Sequence, residues 1–210
     1  MQKNIENKKM ADKKKINKQK IDKQSWKPGN VLAPVPAVLV SCGGNNKWQQ
    51  NLITIAWAGS ICSDPPMLSI SIRPERHSYE IIKDTREFVV NVTTEKHAKA
   101  VDWCGMVSGR DVNKFERTKL TPFEALKVNC PIVLECPINI ECRVQKIIKL
   151  GTHNMFLAEV IAVQVSSELI DNKGKFRLDK SNLLAFGLGE YFKMGPSIGK
   201  FGFSVRKRKK

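Results

Sequence analysis

The segment from residue 137 to residue 166 restricts the possible folds more than any other. PINIECRVQKIIKLG (137–151) and HNMFLAEVIAVQVS (153–166) are two long β-rich runs joined by a tight Gly-Thr turn. That is the pattern of an antiparallel hairpin. Shorter runs surround it. PVPAVLVSC (34–42) reads as a strand ending at the turn GGNNK, and residues 50–62 read as one long strand closed by SDPP. Two prolines cannot continue a ladder, so SDPP breaks it. In MLSISIRP, Leu68, Ile70 and Ile72 alternate with Ser69, Ser71 and Arg73, giving one apolar and one polar face. EFVVNV (87–92) is a further strand.

Helical patterns are few and short. RHSYEIIKD (76–84) suits a helix with Ser78 as its cap, and TTEKHAKAVDWCGM (93–106) suits another opened by Thr-x-x-Lys. Residues 108–126 are irregular, with a short helix expected near 111–116. An Asn-Lys-Gly turn follows in ELIDNKGKF, and LLAFGLGEYFKMG closes the domain. Strands and long helices do not alternate, which argues against a doubly wound parallel sheet. The expected fold class is mostly β with short helices, a closed or partly closed β-barrel.

Charge is unevenly placed. The formal net charge is +16, yet residues 1–27 hold ten Lys against Glu6, Asp12 and Asp22, and RKRKK ends the chain. A Lys-rich tail (1–27) is expected to be disordered, followed by one domain (28–204) and a basic tail (205–210). Such tails attract polyphosphates only weakly and with strong salt dependence, so specific nucleic-acid binding is not expected. No secretory h-region and no membrane-spanning run is visible, and a cytoplasmic protein is expected.

Catalytic signatures are scarce. Six cysteines (42, 62, 104, 130, 136, 142) include no C-x-x-C pair, and His77, His97 and His153 are scattered, so no metal site is expected. Cys104 follows His97 by seven residues, which shares a helix face, but buried free thiols are the better reading of all six. SIRPERHSYEII is more informative. It runs from a strand through Arg73 and Arg76 into a helix start near Ser78, where free N–H groups and guanidinium donors could meet a phosphate. A plain N-cap with solvated arginines fits the same residues.

An ordered set of segments resembles the flavin reductase-like, FMN-binding split-barrel family, in particular its flavoredoxin-like branch. These are PVPAVLVSC, N-x-x-T-x-A-W (Asn51, Thr54, Ala56, Trp57), DPPMLSISIRPERHSY, EFVVNV, VDWCG, SGRDVNKF and GTHNMFLAEV. The resemblance covers roughly residues 28–204, and departs at Ile53, where the family often has Met. It implies a six-stranded Greek-key barrel holding FMN at a homodimer interface. By resemblance, the flavin ring lies against Thr54, Ile55, Ala56 and Trp57, with the small Ala58 close by. Asn51 supports that strand. Ser71, Arg73 and Ser78 carry the phosphate end with Lys114 as a further partner, Ile72 and Tyr79 join the cofactor-binding set, and Asn91 supports the site or merely ends EFVVNV. His153 matches the His beside the exposed flavin face, where it orients a nicotinamide. NADH or NADPH is then the expected electron donor, and an acidic redox protein is a possible partner for the basic tails. A non-catalytic module, storing flavin or touching nucleic acid weakly through its tails, is the alternative class.

Overall fold

The computed structural model describes residues 23–205. The chain divides into two units, Met1–Asn30 and Val31–Lys210. Residues 23–30 of the first are exposed and carry no regular element. The expected tails at 1–27 and 205–210 fall almost wholly outside the described residues.

In the second unit the strands are β1 (Val35–Pro36), β2 (Val38–Cys42), β3 (Asn51–Ile55), β4 (Ala58–Ser63) and β5 (Pro66–Ile72). Helix α1 (His77–Thr85) and β6 (Glu87–Val92) follow. A 3-10 turn at Glu95–His97 then leads into α2 (Ala98–Met106), and α3 spans Lys114–Thr118. The remaining strands are β7 (Pro122–Phe123), β8 (Ile132–Val133), β9 (Ile138–Lys149), β10 (Asn154–Val165), β11 (Leu184–Gly187) and β12 (Glu190–Lys193). The fold is mostly β with short helices, as the sequence implies.

Strands β9 and β10 form the expected hairpin and occupy the middle of a seven-stranded antiparallel sheet ordered β3-β2-β6-β9-β10-β5-β4. The two edges of that order, β3 and β4, are successive pieces of one run of chain. Residues 50–62 are thus two strands and not the single strand expected. The chain bends at Ala56–Trp57, so that β3 pairs with β2 while β4 pairs with β5. The Ser71 N–H donates to the Trp57 carbonyl at 2.9 Å, which extends the β4–β5 ladder by one rung to the corner of the split barrel. SDPP accordingly joins β4 to β5.

The alternation in β5 is realised: Leu68, Ile70 and Ile72 are buried and Ser69 and Ser71 half-buried. They join Val38, Val40, Ile53, Ile55, Phe88 and Phe156 in the core inside the barrel. A second core on the other face of β2 and β3 packs Leu39 and Leu52 against Val101 and Cys104 of α2 and Phe115 of α3. Strand β2 is buried on both faces because each face has its own core.

Four local expectations change. The 34–42 strand is interrupted at Ala37, and β1 pairs instead with β11. Ser78 is the second residue of α1 and not its cap. Its hydroxyl oxygen accepts from Asn51 Nδ2 at 2.8 Å, while Arg76 holds the cap position. The turn before α2 is closed by Thr94 and His97, where Thr94 N–H donates to His97 Nδ1 at 3.1 Å. Asn113 caps α3, accepting from Phe115 and Glu116 N–H groups, which moves that helix past the expected 111–116.

Candidate functional site

Two adjoining cavities lie along the barrel corner and share Ile53, Arg73 and Arg76. Their volumes are 290 and 340 Å³, and as one groove they fall within the roughly 300–1,000 Å³ usual for small-molecule sites.

The first cavity is basic. Arg73 follows β5, Arg76 precedes α1, Arg110 comes from the loop after α2, and Lys114 opens α3. Glu75 is the one carboxylate beside them; it takes Arg73 Nη1 at 3.3 Å, and its backbone carbonyl takes Arg110 Nη1 at 3.2 Å. Lys114 is buried, and its ammonium donates to the Cys104 carbonyl at 2.7 Å. Burial lowers its pKa most, the Cys104 thiol opposes this, and Arg76 lowers it further. A cation kept in this position at the cost of desolvation is suited to an anion that restores its charge balance.

Backbone shape completes this end. A Cβ on Gly109 would lie 2.0 Å from Asn51 Oδ1, so only glycine lets the 107–110 loop close over Asn51. Asn51 in turn holds Ser78.

The second cavity is lined by Thr54, Ile55, Ala56 and Trp57 along β3 and the corner, by Ser71 and Ile72 from β5, and by His153. Ala37, Phe186 and Tyr191 form the rest. Thr54 Oγ1 donates to the Val101 carbonyl, which fixes its rotamer against α2. Trp57 and His153 meet edge to face, with centroids 4.5 Å apart and planes at 87°. The His153 ring also contacts Thr152 Oγ1 at 2.9 Å. Partial burial, followed by the Arg73 charge, pulls the His153 pKa below its ordinary value, so the neutral ring predominates at neutral pH.

The structure brings most of the residues singled out from the sequence to the groove, leaving out Ala58, Tyr79 and Asn91. Asn51, Ser78 and Lys114 line the basic cavity, Arg73 lines both, and Thr54, Ile55, Ala56, Trp57, Ser71, Ile72 and His153 line the other. Tyr79 lines neither. Its ring packs edge to face on Phe156 in the core, and its hydroxyl accepts from Asn154 Nδ2 at 2.7 Å. Asn91 is also distant from the groove lining, in a buried network with Ser41, Asn139 and the Val133 N–H. Gly109, Arg110, Phe186 and Tyr191 are among the lining residues that sequence reasoning did not single out. Cys104 is an unsuitable nucleophile, since burial pushes its thiol up to about 11. A larger cavity of 660 Å³ lies elsewhere, but its lining balances Glu95, Glu135 and Glu168 against Lys96 and Lys180.

Fold and groove together define a split-barrel protein in which a basic cavity adjoins an aromatic one. The chain belongs to the family described as flavin reductase like domain, which matches residues 30–184. Among solved structures it is similar to the flavoredoxin of Desulfovibrio vulgaris (Miyazaki F), with a TM-score of 0.80 and 28% identity over 87% of this chain and 98% of that one. The flavoredoxin of Methanosarcina acetivorans gives a TM-score of 0.77 and 28% identity over 88% of this chain and 100% of that one. An uncharacterized protein of Archaeoglobus fulgidus is 36% identical over 123 residues, 59% of this chain and 70% of its own.

No helix among the described residues is long and apolar enough to cross a membrane.

Proposed function

We propose that the chain is an FMN-binding oxidoreductase that passes electrons through the flavin to an acceptor. The observation that carries this reading is the continuity of a four-cation cavity with an aromatic one through Ile53, Arg73 and Arg76. FMN has the matching division into a phosphate dianion and a planar ring, and flavoredoxins of the same fold support the assignment.

The residues present fit the group. Lys114 has one carbonyl partner and further N–H donors to offer, and Arg73, Arg76 and the Ser78 hydroxyl surround the same space. Along Thr54–Trp57 the small Ala56 allows a flat ring close to the backbone, and His153 stands beside it as a neutral hydrogen-bonding group. When bound, FMN supplies one- and two-electron chemistry, so the chain needs no nucleophile or acid–base pair of its own. The chain's part is to hold the phosphate, fix the ring plane and limit water at the corner.

NADH or NADPH is the proposed donor, with His153 orienting the nicotinamide; a redox protein acting as donor would make the chain a carrier of flavoredoxin type. A homodimer belongs to the same reading, with the second copy covering Trp57, which is 46% exposed. The Lys-rich N-terminal segment and the terminal RKRKK would steer an acidic redox partner.

The test is the visible spectrum of the purified protein, an FMN titration, and addition of each nicotinamide under nitrogen. A stoichiometric flavin bleached by one nicotinamide is the expected result. A colourless protein that ignores added FMN overturns the reading.

A further inference from the structure

Past β12 the chain changes character. Residues 194–210, MGPSIGKFGFSVRKRKK, hold six Lys and Arg and no Asp or Glu, and they lie beyond the family match, which ends at residue 184. Their apolar side chains find no place on the barrel. Ile198 is 95% exposed and Phe201 104%, and Phe203 and Val205 are exposed as well. Two successive turns hold them out. The Phe203 N–H donates to the Lys200 carbonyl at 2.9 Å, and the Val205 N–H donates to the Gly202 carbonyl at 3.3 Å. Gly202, at φ +78°, supplies the left-handed residue of the first turn. The Phe203 ring lies against Gly199, where an added Cβ would stand 2.7 Å from it. Phe201 is thereby set at the tip, directly after Lys200.

An exposed apolar tip next to a block of cations calls for a partner with both an anionic face and an apolar interior. A second copy of this chain, at a formal net charge of +16, meets the block with like charge. An acidic soluble protein, such as the redox partner proposed above, satisfies the cations but has no need of Ile198, Phe201 and Val205. A nucleic acid stacks on phenylalanine and gives the aliphatic Ile198 and Val205 no counterpart. An anionic bilayer surface answers both demands, since headgroups take the Lys and Arg and the acyl boundary takes the apolar side chains. Contact of this interfacial kind needs no spanning segment.

We propose that residues 198–210 dock the protein on a membrane surface rich in anionic phospholipid. Phe201 enters the acyl boundary, and Lys200 with RKRKK holds the headgroups. The groove at the barrel corner takes no part, so docking goes beyond the FMN reading and does not depend on it.

The test is flotation of the full chain with vesicles of mixed phosphatidylglycerol and phosphatidylcholine, and with phosphatidylcholine alone. Uptake by the mixed vesicles only, falling as salt rises, is expected. Phe201→Ala should weaken that uptake about tenfold, the scale of one apolar side chain taken out of water. Its melting temperature should not change, because the ring is fully exposed. Lys207→Gln should weaken uptake about fivefold, the scale of one basic residue at an anionic surface. The Lys-rich segment at 1–27 is the same in every variant, so its own pull on the vesicles cancels from the comparison. In Phe201→Trp the added indole emission should shift to the blue with mixed vesicles.

Equal affinity of Phe201→Ala and the unaltered chain overturns the proposal, since charge alone would then bind. Equal uptake by phosphatidylcholine alone overturns it too. A lipid-free dimer that Phe201→Ala splits, seen by sedimentation, makes a second copy the occupant instead. A greater loss of oligonucleotide binding than of vesicle binding in Phe201→Ala makes it a nucleic acid.

Discussion

Asn51 donates its side-chain amide to Ser78 Oγ at 2.8 Å, joining the start of β3 to the first turn of α1. The two residues are 27 positions apart, and both line the basic cavity. Gly109 presses on the other side of the same amide. Asn51 is therefore the keystone between a strand, a helix and a loop, which accounts for a buried polar residue at the head of an apolar strand.

Gly109→Ala should disturb that arrangement without touching a charge. The added methyl would overlap Asn51 Oδ1, so either the loop or Asn51 must move, at a cost of about 1–3 kcal/mol. FMN affinity should fall about tenfold for each 1.4 kcal/mol of that cost felt at the site, measured by flavin fluorescence titration. Unchanged affinity would show that the 107–110 loop has no part in binding.

Lys114→Met should separate stability from binding. The folded protein holds this lysine below its ordinary pKa, chiefly through burial. A depressed pKa means that the unfolded chain binds more protons. The stabilising contribution is thus complete above about pH 10.5 and is lost as pH falls through the folded value. Near neutral pH the charged amine costs stability in the ligand-free protein, so the methionine variant should melt higher. Its FMN affinity should fall about ten- to a hundredfold, the scale of one charge-assisted hydrogen bond. Calorimetry in two buffers of different ionisation enthalpy should also show proton uptake on FMN binding by the unaltered chain at alkaline pH.

His97 should make the fold acid-sensitive. Its Nδ1 accepts the Thr94 N–H, a role that only the neutral ring can fill, and burial is the leading cause of its lowered pKa. The unfolded chain takes up a proton near pH 6.5 while the folded one resists, so stability is full above that value and falls as pH drops through the folded pKa. Urea unfolding between pH 7.5 and 5 should show the slope, and His97→Asn should flatten it.

Asn91→Ala should be costly. The side chain donates to the Leu39 carbonyl at 3.1 Å and to Ser41 Oγ at 3.0 Å, and it accepts from Val133 N–H and Asn139 Nδ2, each at 2.8 Å. Removing it strands several buried partners, with an expected loss of about 2–4 kcal/mol. The denaturation midpoint should shift while FMN affinity per folded molecule stays constant, because Asn91 lies outside the groove lining.

The sequence made some of this legible and hid the rest for identifiable reasons. The β9–β10 hairpin, the alternation of β5 and the span of β6 are local patterns, and each could be read directly. The corner at Ala56–Trp57 could not, because residues 50–62 stay β-prone through the bend and only strand pairing, with β2 before it and β5 after it, marks the break. Ser78 resembled a cap because a hydroxyl near a helix start usually serves as one; only the tertiary contact with Asn51 shows otherwise. Tyr79 followed Ser78 into the expected site, yet the helix turns it toward Phe156. Phe186 and Tyr191 had no local signature at all, since only β1–β11 pairing carries them to the groove.

The split at the corner gives a bound ligand a mechanical role. Elsewhere in the wall each strand is zipped to its neighbour by a ladder, whereas no ladder of the described strands joins β3 to β5, and the corner between them is a seam held on one side by the Ser71–Trp57 rung that ends the β4–β5 ladder. A flat molecule lying along Thr54–Trp57 would act as a patch over that seam. Occupancy would then set how often the wall gapes, and amide exchange at Trp57 and Ser71 would serve as its gauge.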